Sequence, residues 1–275
     1  MSAPGGRLAL LAASPEAAAA AAAWVAGAPA GRRSEPVELA GRAAHLKASP
    51  LAGRARWRHA FRAHVLGRSL PRFREYENLA WLRARDFRAP EPLAAGALWG
   101  GALPRFQFLF SAEVPAARTL LDELETGDPA LRPELLGELA REVARLHALG
   151  FVHRDLYPRN LLVAERERGR RLVFLDAWAG GPGLQLRGAA YDLACFFLEG
   201  SELLAPEEEG ELLAGYFAER AARGRPVERQ AFLGRVVRAR AALFEQLQRD
   251  PGRRRGRPLP RADWRPPAGA ADHSR

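Results

Sequence analysis

The pattern of apolar and polar positions divides the chain into a strand-rich first part and a helix-rich second part. Short alternating runs such as PVEL, AAHLK and FQFLFSAEV, separated by Gly and Pro, predict strands. Further on, apolar residues recur at helical spacing, most clearly from Leu135 to Leu146, and Gly150 ends that predicted helix. The pattern therefore predicts an α+β fold with a small antiparallel sheet followed by a mostly helical region.

Two stretches near the N-terminus predict helices by different signals. After the apolar run RLALLAA, Ser14 is placed to cap a helix with Pro15 in its first turn. The stretch REYENLAWLRA, residues 74–84, has apolar residues at helical spacing. Between them, the Arg-rich and aromatic segment 51–74 fits a solvated amphipathic helix, a nucleic-acid patch, or a contact with a membrane surface or a phosphate-rich substrate. Because no recognised nucleic-acid module accompanies this segment, nucleic acid is not expected as a partner.

Composition limits the class of protein. The 275 residues are 48% hydrophobic, which is typical of a globular chain, and no apolar run reaches the ~18 residues needed to span a bilayer. The single cysteine, Cys195, excludes an internal disulfide and fits a reducing compartment, so we expect a soluble cytoplasmic enzyme with this thiol buried. A net charge of +10 favours acidic partners such as nucleotide phosphates or anionic lipid.

The segment FVHRDLYPRNLLV, residues 151–163, carries the strongest chemical signal. In it Asp155 precedes Asn160 by five positions, and Asp176 ends the second of the two apolar strands that follow. This order is typical of phosphoryl transfer, in which the first carboxylate accepts the proton of a substrate hydroxyl. Asn160 and Asp176 would then hold Mg²⁺ on the phosphates of ATP. An ordinary polar surface loop before a hairpin would also explain the turn at this point. It would not explain the order of Asp155, Asn160 and Asp176.

The strand-rich part contributes a predicted nucleotide site. Among 42 basic residues Lys47 is the one lysine, and it ends a predicted strand, where a compact ammonium group can reach the α- and β-phosphates. Glu75, on the helix predicted for residues 74–84, is the expected partner of this lysine, with Glu77 as the competing candidate. A hinge at residues 113–117, beginning with Glu113 and Val114, would offer backbone groups to the edge of an adenine ring.

Other residues of the helical part have predicted supporting roles. His147 and His153 are expected to pack or to hydrogen-bond, since neither has a metal-ligand partner nearby. Asp192, 16 positions after Asp176, either caps an apolar helix or holds the backbone of the catalytic loop. Pro206 and the glutamates after it predict the first turn of a helix. The short segment after Asp176 lacks the platform on which protein kinases dock a peptide.

These features predict three regions. Residues 1–113 would form an N-lobe with the nucleotide-binding sheet, and residues 114–249 a C-lobe with the catalytic loop and metal site. Residues 250–275 are rich in Pro, Gly and Arg and are predicted to be disordered. The RRRGR cluster in this tail offers a contact to anionic lipid, although a solvated tail is the simpler interpretation.

Taken together, the segments REYENLAWL, APEPLAAG, ARLHALGFVHRDLYPRNLLV, FLDAW and RGAAYDLACFF resemble the lipopolysaccharide core kinase family, from about Leu39 to Phe197. Members phosphorylate Kdo or heptose sugars of the inner core, with ATP and Mg²⁺, on a bilobal protein-kinase-like fold. The resemblance implies Lys47 on the phosphates, Glu75 as its partner and Asp155 as catalytic base. It also implies Asn160 and Asp176 as metal ligands.

The expected activity is ATP-dependent phosphorylation of a sugar hydroxyl on a lipid-linked glycan, at the cytoplasmic face of the inner membrane, with peripheral contact to anionic lipid through the basic segments. A basic surround of the cleft would favour an anionic acceptor. Three alternatives are a kinase of aminoglycoside-like or choline-like small molecules, a non-catalytic kinase-like binding module, and a protein Ser/Thr kinase.

Overall fold

The alternating runs of the first part of the chain form one antiparallel sheet in a computed structural model. The structure describes residues 2–3, 6–27, 31–166, 169–183, 188–250, 252 and 257–267. The chain divides into two compact units: unit 1 is residues 1–115 with 177–179, and unit 2 is residues 116–176 with 180–275. The sequence had placed this boundary near residue 114.

Unit 1 is a six-stranded antiparallel sheet with three helices in its described part. The strand order is β1-β2-β5-β6-β4-β3. The elements are β1 (Ser2–Ala3), β2 (Gly6–Ala12), α1 (Pro15–Ala26), β3 (Arg33–Leu39), β4 (Arg42–Pro50), α2 (Gly53–His64), α3 (Pro71–Arg83), β5 (Pro92–Gly100) and β6 (Leu103–Ala112).

Helices cover both faces of this sheet, because β5 carries small apolar residues on each face. Ala94 lies in a core with Trp24 of α1 and the phenylalanines of β6, whereas Ala97 packs with Leu70 and Trp99 near α2 and α3. Alternate residues of a strand point to opposite faces, so one strand contributes to both cores. As predicted, the Ser14 hydroxyl caps α1 by accepting from the N–H of Ala17.

Unit 2 is mostly helical. Its described elements are β7 (Ala117–Thr119), α4 (Leu120–Thr126), α5 (Arg132–Ala148), β8 (Phe151–Val152), β9 (Leu161–Arg166), β10 (Gly169–Phe174), β11 (Gly181–Pro182), α6 (Gly188–Gly200), α7 (Pro206–Ala222) and α8 (Arg229–Arg249). Strands β10, β9 and β7 form one small antiparallel sheet, and β8 pairs with β11. Strands β9 and β10 pair as far as Arg166 and Gly169.

Helix α5 delivers the loop that carries Asp155. It buries the apolar stripe predicted from the sequence, from Leu135 to Leu146, and the chain leaves it through Gly150 at φ +77°. This backbone conformation costs glycine little and other residues more, which explains why the helix ends there. No helix of the described residues is long and apolar enough to cross a bilayer.

The C-terminal tail corrects a prediction. Disorder was expected for residues 250–275, but residues 257–267 pack on unit 2 through Trp264, which is 5% exposed and stacks on Phe197. The indole N–H donates to Glu209 Oε2 at 2.9 Å. A Pro- and Gly-rich composition removes helical and strand periodicity, yet one buried tryptophan is enough to fix a short irregular segment. The RRRGR cluster lies mainly outside the described residues.

Candidate active site

The segment between β8 and β9 folds back on the main chain of Asp155. The carbonyl of Asp155 accepts from the N–H of Tyr157 at 2.9 Å and from Asn160 Nδ2 at 2.8 Å. Asn160 lies in a 3-10 turn, Pro158–Asn160, and is buried. These contacts bring Asp155 and Asn160 together in one loop, as their spacing predicts.

A buried carboxylate holds the start of this loop. Asp192 Oδ2 accepts from the N–H of His153 at 2.7 Å, and Oδ1 accepts from the N–H of Arg154 at 2.6 Å. Arg154 has φ +61°, a strained conformation for a residue with a side chain, which these two hydrogen bonds help to maintain. Since α6 begins at Gly188, Asp192 does not cap it. Of the two roles that the sequence allowed, holding the catalytic loop is confirmed.

Both histidines of this region make the hydrogen bonds predicted for them. His147 bridges Asp192 Oδ2, at 3.1 Å from Nε2, and the hydroxyl of Tyr216, at 2.9 Å from Nδ1. The Nε2 of His153 lies 2.7 Å from the carbonyl oxygen of Leu175. One histidine thus steadies Asp192, and the other ties the catalytic loop to the strand that leads to Asp176.

Asp176 follows β10 in a left-handed conformation. Its φ is +53°, and the N–H of the preceding Leu175 donates to the carbonyl of Asn160 at 2.9 Å. Backbone strain of this kind concentrates at functional sites, because only a dense hydrogen-bond network keeps it in place. The main chain thus links the residue before Asp176 to Asn160.

Asn160 and Asp176 offer a set of donor atoms that fits Mg²⁺. Because Asn160 Nδ2 is engaged by the carbonyl of Asp155, the amide oxygen of Asn160 is its group for a cation. A carboxylate and an amide oxygen are hard oxygen ligands, and Mg²⁺ usually takes few protein ligands together with phosphates and water. Over the described ranges no group of three or more His, Cys, Asp or Glu is arranged around a metal position.

Unit 1 contains the predicted lysine–glutamate pair. Lys47 Nζ lies 2.8 Å from Glu75 Oε1, and the Glu75 carboxylate is 1% exposed. Glu77 instead accepts from the Ser69 hydroxyl, so the sequence alternatives for the lysine's partner are resolved in favour of Glu75. One detail of the prediction is wrong: Lys47 lies inside β4, opposite Leu109 of β6, and not at the strand end. Neighbouring strands therefore restrain its backbone on both sides.

The Glu75 carboxylate also has a second cationic partner, which the sequence interpretation missed. Arg72 Nη1 contacts Glu75 Oε2, and the N–H of Arg72 donates to Gln107 Oε1 at 3.3 Å. One turn further along α3, Asn78 Nδ2 donates to the carbonyl of Ala177. The i,i+3 spacing of Arg72 and Glu75 was the available signal for this contact. Two cations therefore offset the charge of one buried carboxylate.

The predicted hinge follows β6. The N–H of Glu113 donates to the carbonyl of Ala43 at 3.2 Å, which continues the hydrogen-bonding of the sheet by one residue. This N–H is therefore used within unit 1, and the carbonyl of Glu113 is the backbone group that remains a candidate for an adenine edge. Val114 comes next in the chain, outside any strand.

A cavity of about 540 Å³ in unit 2, here called the Asp155 cavity, opens beside the catalytic loop. Its walls come from α4, the catalytic loop, α6 and the residues just after it, α8 and the C-terminal segment. Its polar lining residues are Glu125, Asp155, Tyr157, Arg159, Glu199, Glu202, Gln246 and Arg257, and its apolar ones are Leu198, Leu203, Leu243, Leu247, Pro258, Leu259 and Pro260. The basic surround expected from the sequence is not found here, because carboxylates outnumber arginines.

Ion pairs occupy the carboxylates of this cavity. Glu125 pairs with Arg257 at 2.5 Å, and Glu199 contacts Arg159, whose guanidinium group lies 3.9 Å from the centre of the Tyr157 ring. Together with the pair of Glu202 and Arg261, these contacts leave each of the three glutamates of the cavity paired with an arginine. Leucine and proline side chains supply the rest of its wall.

The C-terminal segment is fastened beside this cavity by a second group of contacts. Arg261 pairs with Glu202 at 3.3 Å, and its N–H donates to the same carboxylate at 2.9 Å. Burial raises the pKa of Glu209, while the hydrogen bond from Trp264 and the charge of Arg261 act in the opposite direction. Residues 257–260 are thus held as one wall of the Asp155 cavity.

The phenols of Tyr157 and Tyr191 and the thiol of Cys195 interact with one another beside the catalytic loop. Burial raises the pKa of Tyr157 and of Cys195, and it raises the pKa of Tyr191 to about 12. The charge of Asp155 raises the pKa of all three groups further, whereas the hydrogen bonds with the two phenols lower the pKa of Cys195. All three groups are therefore neutral at pH 7, and the prediction of a buried Cys195 is confirmed.

The antiparallel sheet, the catalytic loop and the lysine–glutamate pair define the class: this is a protein-kinase-like fold. Residues 18–180, more than half of the chain, match the model of the lipopolysaccharide kinase (Kdo/WaaP) family, and the chain belongs to that family. It is accordingly a phosphotransferase, and the family's chemistry is ATP-dependent.

Solved structures share the fold at low identity. A WaaP protein in complex with acyl carrier protein is 21% identical, with a TM-score of 0.50 over 81% of this chain and 85% of that one. A glucosamine kinase is 15% identical, with a TM-score of 0.52 over 87% and 74% of the two chains. No match was found among curated protein sequences.

Proposed function

We propose that this protein transfers the γ-phosphoryl group of ATP to a sugar hydroxyl of a lipid-linked glycan, namely Kdo or heptose of the lipopolysaccharide inner core. The observation that carries the proposal is the catalytic loop, in which Asp155 and Asn160 share hydrogen bonds, in a chain of the lipopolysaccharide kinase family. We place the reaction in the cytoplasm, at the inner face of the inner membrane, where such acceptors are anchored.

In this reaction Asp155 orients the acceptor hydroxyl and takes its proton as the oxygen attacks the γ-phosphorus. Lys47 binds the nucleotide phosphates, and Glu75 holds the ammonium group in position. The carbonyl of Glu113 and the backbone of Val114 receive the adenine edge. These roles assign residues 1–113 to nucleotide binding and residues 114–249 to catalysis and acceptor binding.

Asn160 and Asp176 are the proposed ligands of Mg²⁺. When bound, the ion offsets negative charge on the phosphates during transfer. The chain's own contribution is to fix these oxygen atoms: Asn160 is held through its amide N–H, and the N–H of Leu175 anchors the chain just before Asp176.

The Asp155 cavity is the proposed acceptor site. Asp155 lines it, and its mixture of paired charges and leucine side chains suits a polyhydroxylated sugar that carries an apolar neighbour. A basic lining is not required, since Arg159 and Arg257 can exchange their glutamate partners for anionic groups of an acceptor. Arg257 and Leu259 place the C-terminal segment among the residues that select the acceptor.

A second candidate is phosphorylation of a cationic small molecule. The observation that favours it is the group of three glutamates in the Asp155 cavity, Glu125, Glu199 and Glu202. Each of them already contacts an arginine, so a cationic ligand would have to displace that partner. An anionic acceptor would meet a similar cost at Arg159 and Arg257, so the match to the lipopolysaccharide kinase family is what favours the sugar acceptor.

The test is transfer of label from γ-labelled ATP, with Mg²⁺, to a Kdo- and heptose-containing inner-core glycolipid. Glucosamine and an aminoglycoside serve as competing acceptors, and Asp176→Ala is the matched inactive variant. Transfer to the glycolipid that disappears in Asp176→Ala supports the proposal. Transfer to a cationic acceptor alone would favour the second candidate, and nucleotide binding without transfer to any acceptor would favour a non-catalytic binding module.

A further inference from the structure

Helix α2 is packed with its small apolar residues inward and its large apolar residues outward. Ala60 is 5% exposed, and Ala63 packs with Leu70, Ala97 and Trp99 in one of the cores of unit 1. A helix that only covers a sheet normally buries its largest apolar side chains. The opposite arrangement indicates that the outer face of α2 has a use of its own.

That outer face is an apolar stripe. Trp57, Phe61 and Val65 are spaced four residues apart and are 66%, 57% and 64% exposed, and the adjoining Leu66 is 50% exposed. Residues four apart lie on the same side of a helix. These four residues make up half of the exposed large hydrophobic side chains among the described residues. Contiguous apolar surface of this kind marks a site of interaction.

Arginines flank the stripe. Arg54, Arg58 and Arg62 are exposed on the same side of α2, and residues 51–68 contain no Asp or Glu. None of the acidic side chains that the structure describes forms an ion pair with these three arginines. The four apolar side chains with Arg54, Arg58 and Arg62 are called the α2 surface below.

We propose that the α2 surface docks on the surface of an anionic lipid bilayer. An interfacial helix needs aromatic and aliphatic side chains that enter the headgroup region, with arginines beside them to meet the lipid phosphates. A second copy of this chain would bring like charges together, and nucleic-acid phosphates would leave Val65 and Leu66 without a function. Neither the stripe nor its charges depends on the proposed kinase activity.

The experiment measures binding of the full chain to vesicles of phosphatidylcholine mixed with phosphatidylglycerol, and to vesicles of phosphatidylcholine alone. The expected result is binding to the anionic vesicles that weakens as salt is added. Trp57→Ser with Phe61→Ser should weaken this binding about tenfold or more. Arg58→Gln with Arg62→Gln should weaken it by about fivefold for each arginine removed.

Matched controls separate the α2 surface from exposure in general. Leu149→Ser removes an exposed leucine of unit 2, and Arg223→Gln with Arg249→Gln removes two exposed arginines elsewhere, so both variants should bind vesicles like the parent protein. Equal binding by the parent and the Trp57/Phe61 variant would overturn the proposal. So would a dimer, or a complex with RNA, that forms without lipid and is lost in that variant.

Kinase activity on a detergent-dispersed acceptor is measured in parallel. Loss of vesicle binding with activity retained supports the docking role alone. If the parent protein binds vesicles through the α2 surface but phosphorylates no acceptor, the docking proposal holds and the proposed function fails.

Discussion

The two units hold their candidate functional residues by different kinds of contact. In unit 2, Asp192 fixes the catalytic loop through the main-chain N–H groups of His153 and Arg154. In unit 1, Lys47 is positioned by a side-chain ion pair with Glu75. Main-chain contacts fix the path of the loop itself, whereas an ion pair fixes only the ends of two side chains.

This difference predicts how each part fails. Loss of the Asp192 carboxylate should disturb folding and catalysis together. The buried N–H groups of His153 and Arg154 would then lack an acceptor, and no water could take its place. Loss of the ion pair should reduce catalysis while the sheet of unit 1 stays folded, since Lys47 is restrained by strands on both sides. The following variants test that contrast.

Asp155→Ala should cause the largest loss of activity. Removing a general base typically costs a factor of about a thousand in turnover, and the hydrogen bonds of the loop to the carbonyl of Asp155 do not involve its side chain. Label transfer should therefore fall to near background, while nucleotide binding, measured by calorimetry, and the melting temperature stay close to those of the parent. Normal turnover by this variant would refute the assignment of Asp155.

Asp192→Asn should affect both stability and activity. The amide keeps the size of the side chain but turns an NH₂ group toward one of the two main-chain donors, which leaves a buried N–H unsatisfied. We expect the free energy of unfolding to fall by about 3 kcal/mol, measured with urea, together with a fall in turnover. Unchanged stability with a fall in turnover alone would contradict the scaffold role.

Glu75→Gln should show the opposite pattern. The neutral side chain still fits the site, but Lys47 and Arg72 lose their shared carboxylate. Turnover should fall roughly thirtyfold, which corresponds to the free energy of one charge-assisted hydrogen bond, about 2 kcal/mol. The secondary structure seen by circular dichroism should change little.

Glu77→Gln is the matched control for that variant. Glu77 lies two residues further along α3, and the hydrogen bonds described for its carboxylate come from the exposed Ser69 hydroxyl. It should retain the parent's turnover. If both glutamine variants lose the same activity, the contrast between the two glutamates is wrong.

The sequence predicts the parts of the site that are local in the chain. The order of Asp155, Asn160 and Asp176 follows from one loop and one hairpin, so their spacing carries the information. For Asp192 the sequence leaves two roles open. Its carboxylate lies 39 residues from His153 in the chain, so the spacing alone does not show that the two residues meet.

Contacts between distant segments were beyond the sequence pattern. The wall that Arg257 and Leu259 give to the Asp155 cavity depends on Trp264 meeting Glu209, 55 residues away, within a segment whose composition suggests disorder. The orientation of α2 was also open, because a Trp and a Phe at helical spacing fit an inner face as well as an outer one. The burial of Ala60 and the packing of Ala63 decide between the two.

Cys195 offers the finest test of how closely the base of the catalytic loop is packed. Burial raises the pKa of this thiol above its usual value near 9. The sign follows from linkage: the thiol ionises more readily in the unfolded chain, so its contribution to stability is complete below pH 9 and is lost as the pH rises above it.

Cys195→Ser removes this titration while it keeps a small polar group next to Tyr157 and Tyr191. The free energy of unfolding of the parent should fall between pH 9 and pH 11, and the slope for the variant should be shallower by one proton, about 1.4 kcal/mol for each pH unit. Urea unfolding at a series of pH values measures both slopes. Identical slopes would mean that the thiol ionises as freely in the folded protein as in the unfolded one, and that the packing around Asp155 is looser than its contacts indicate.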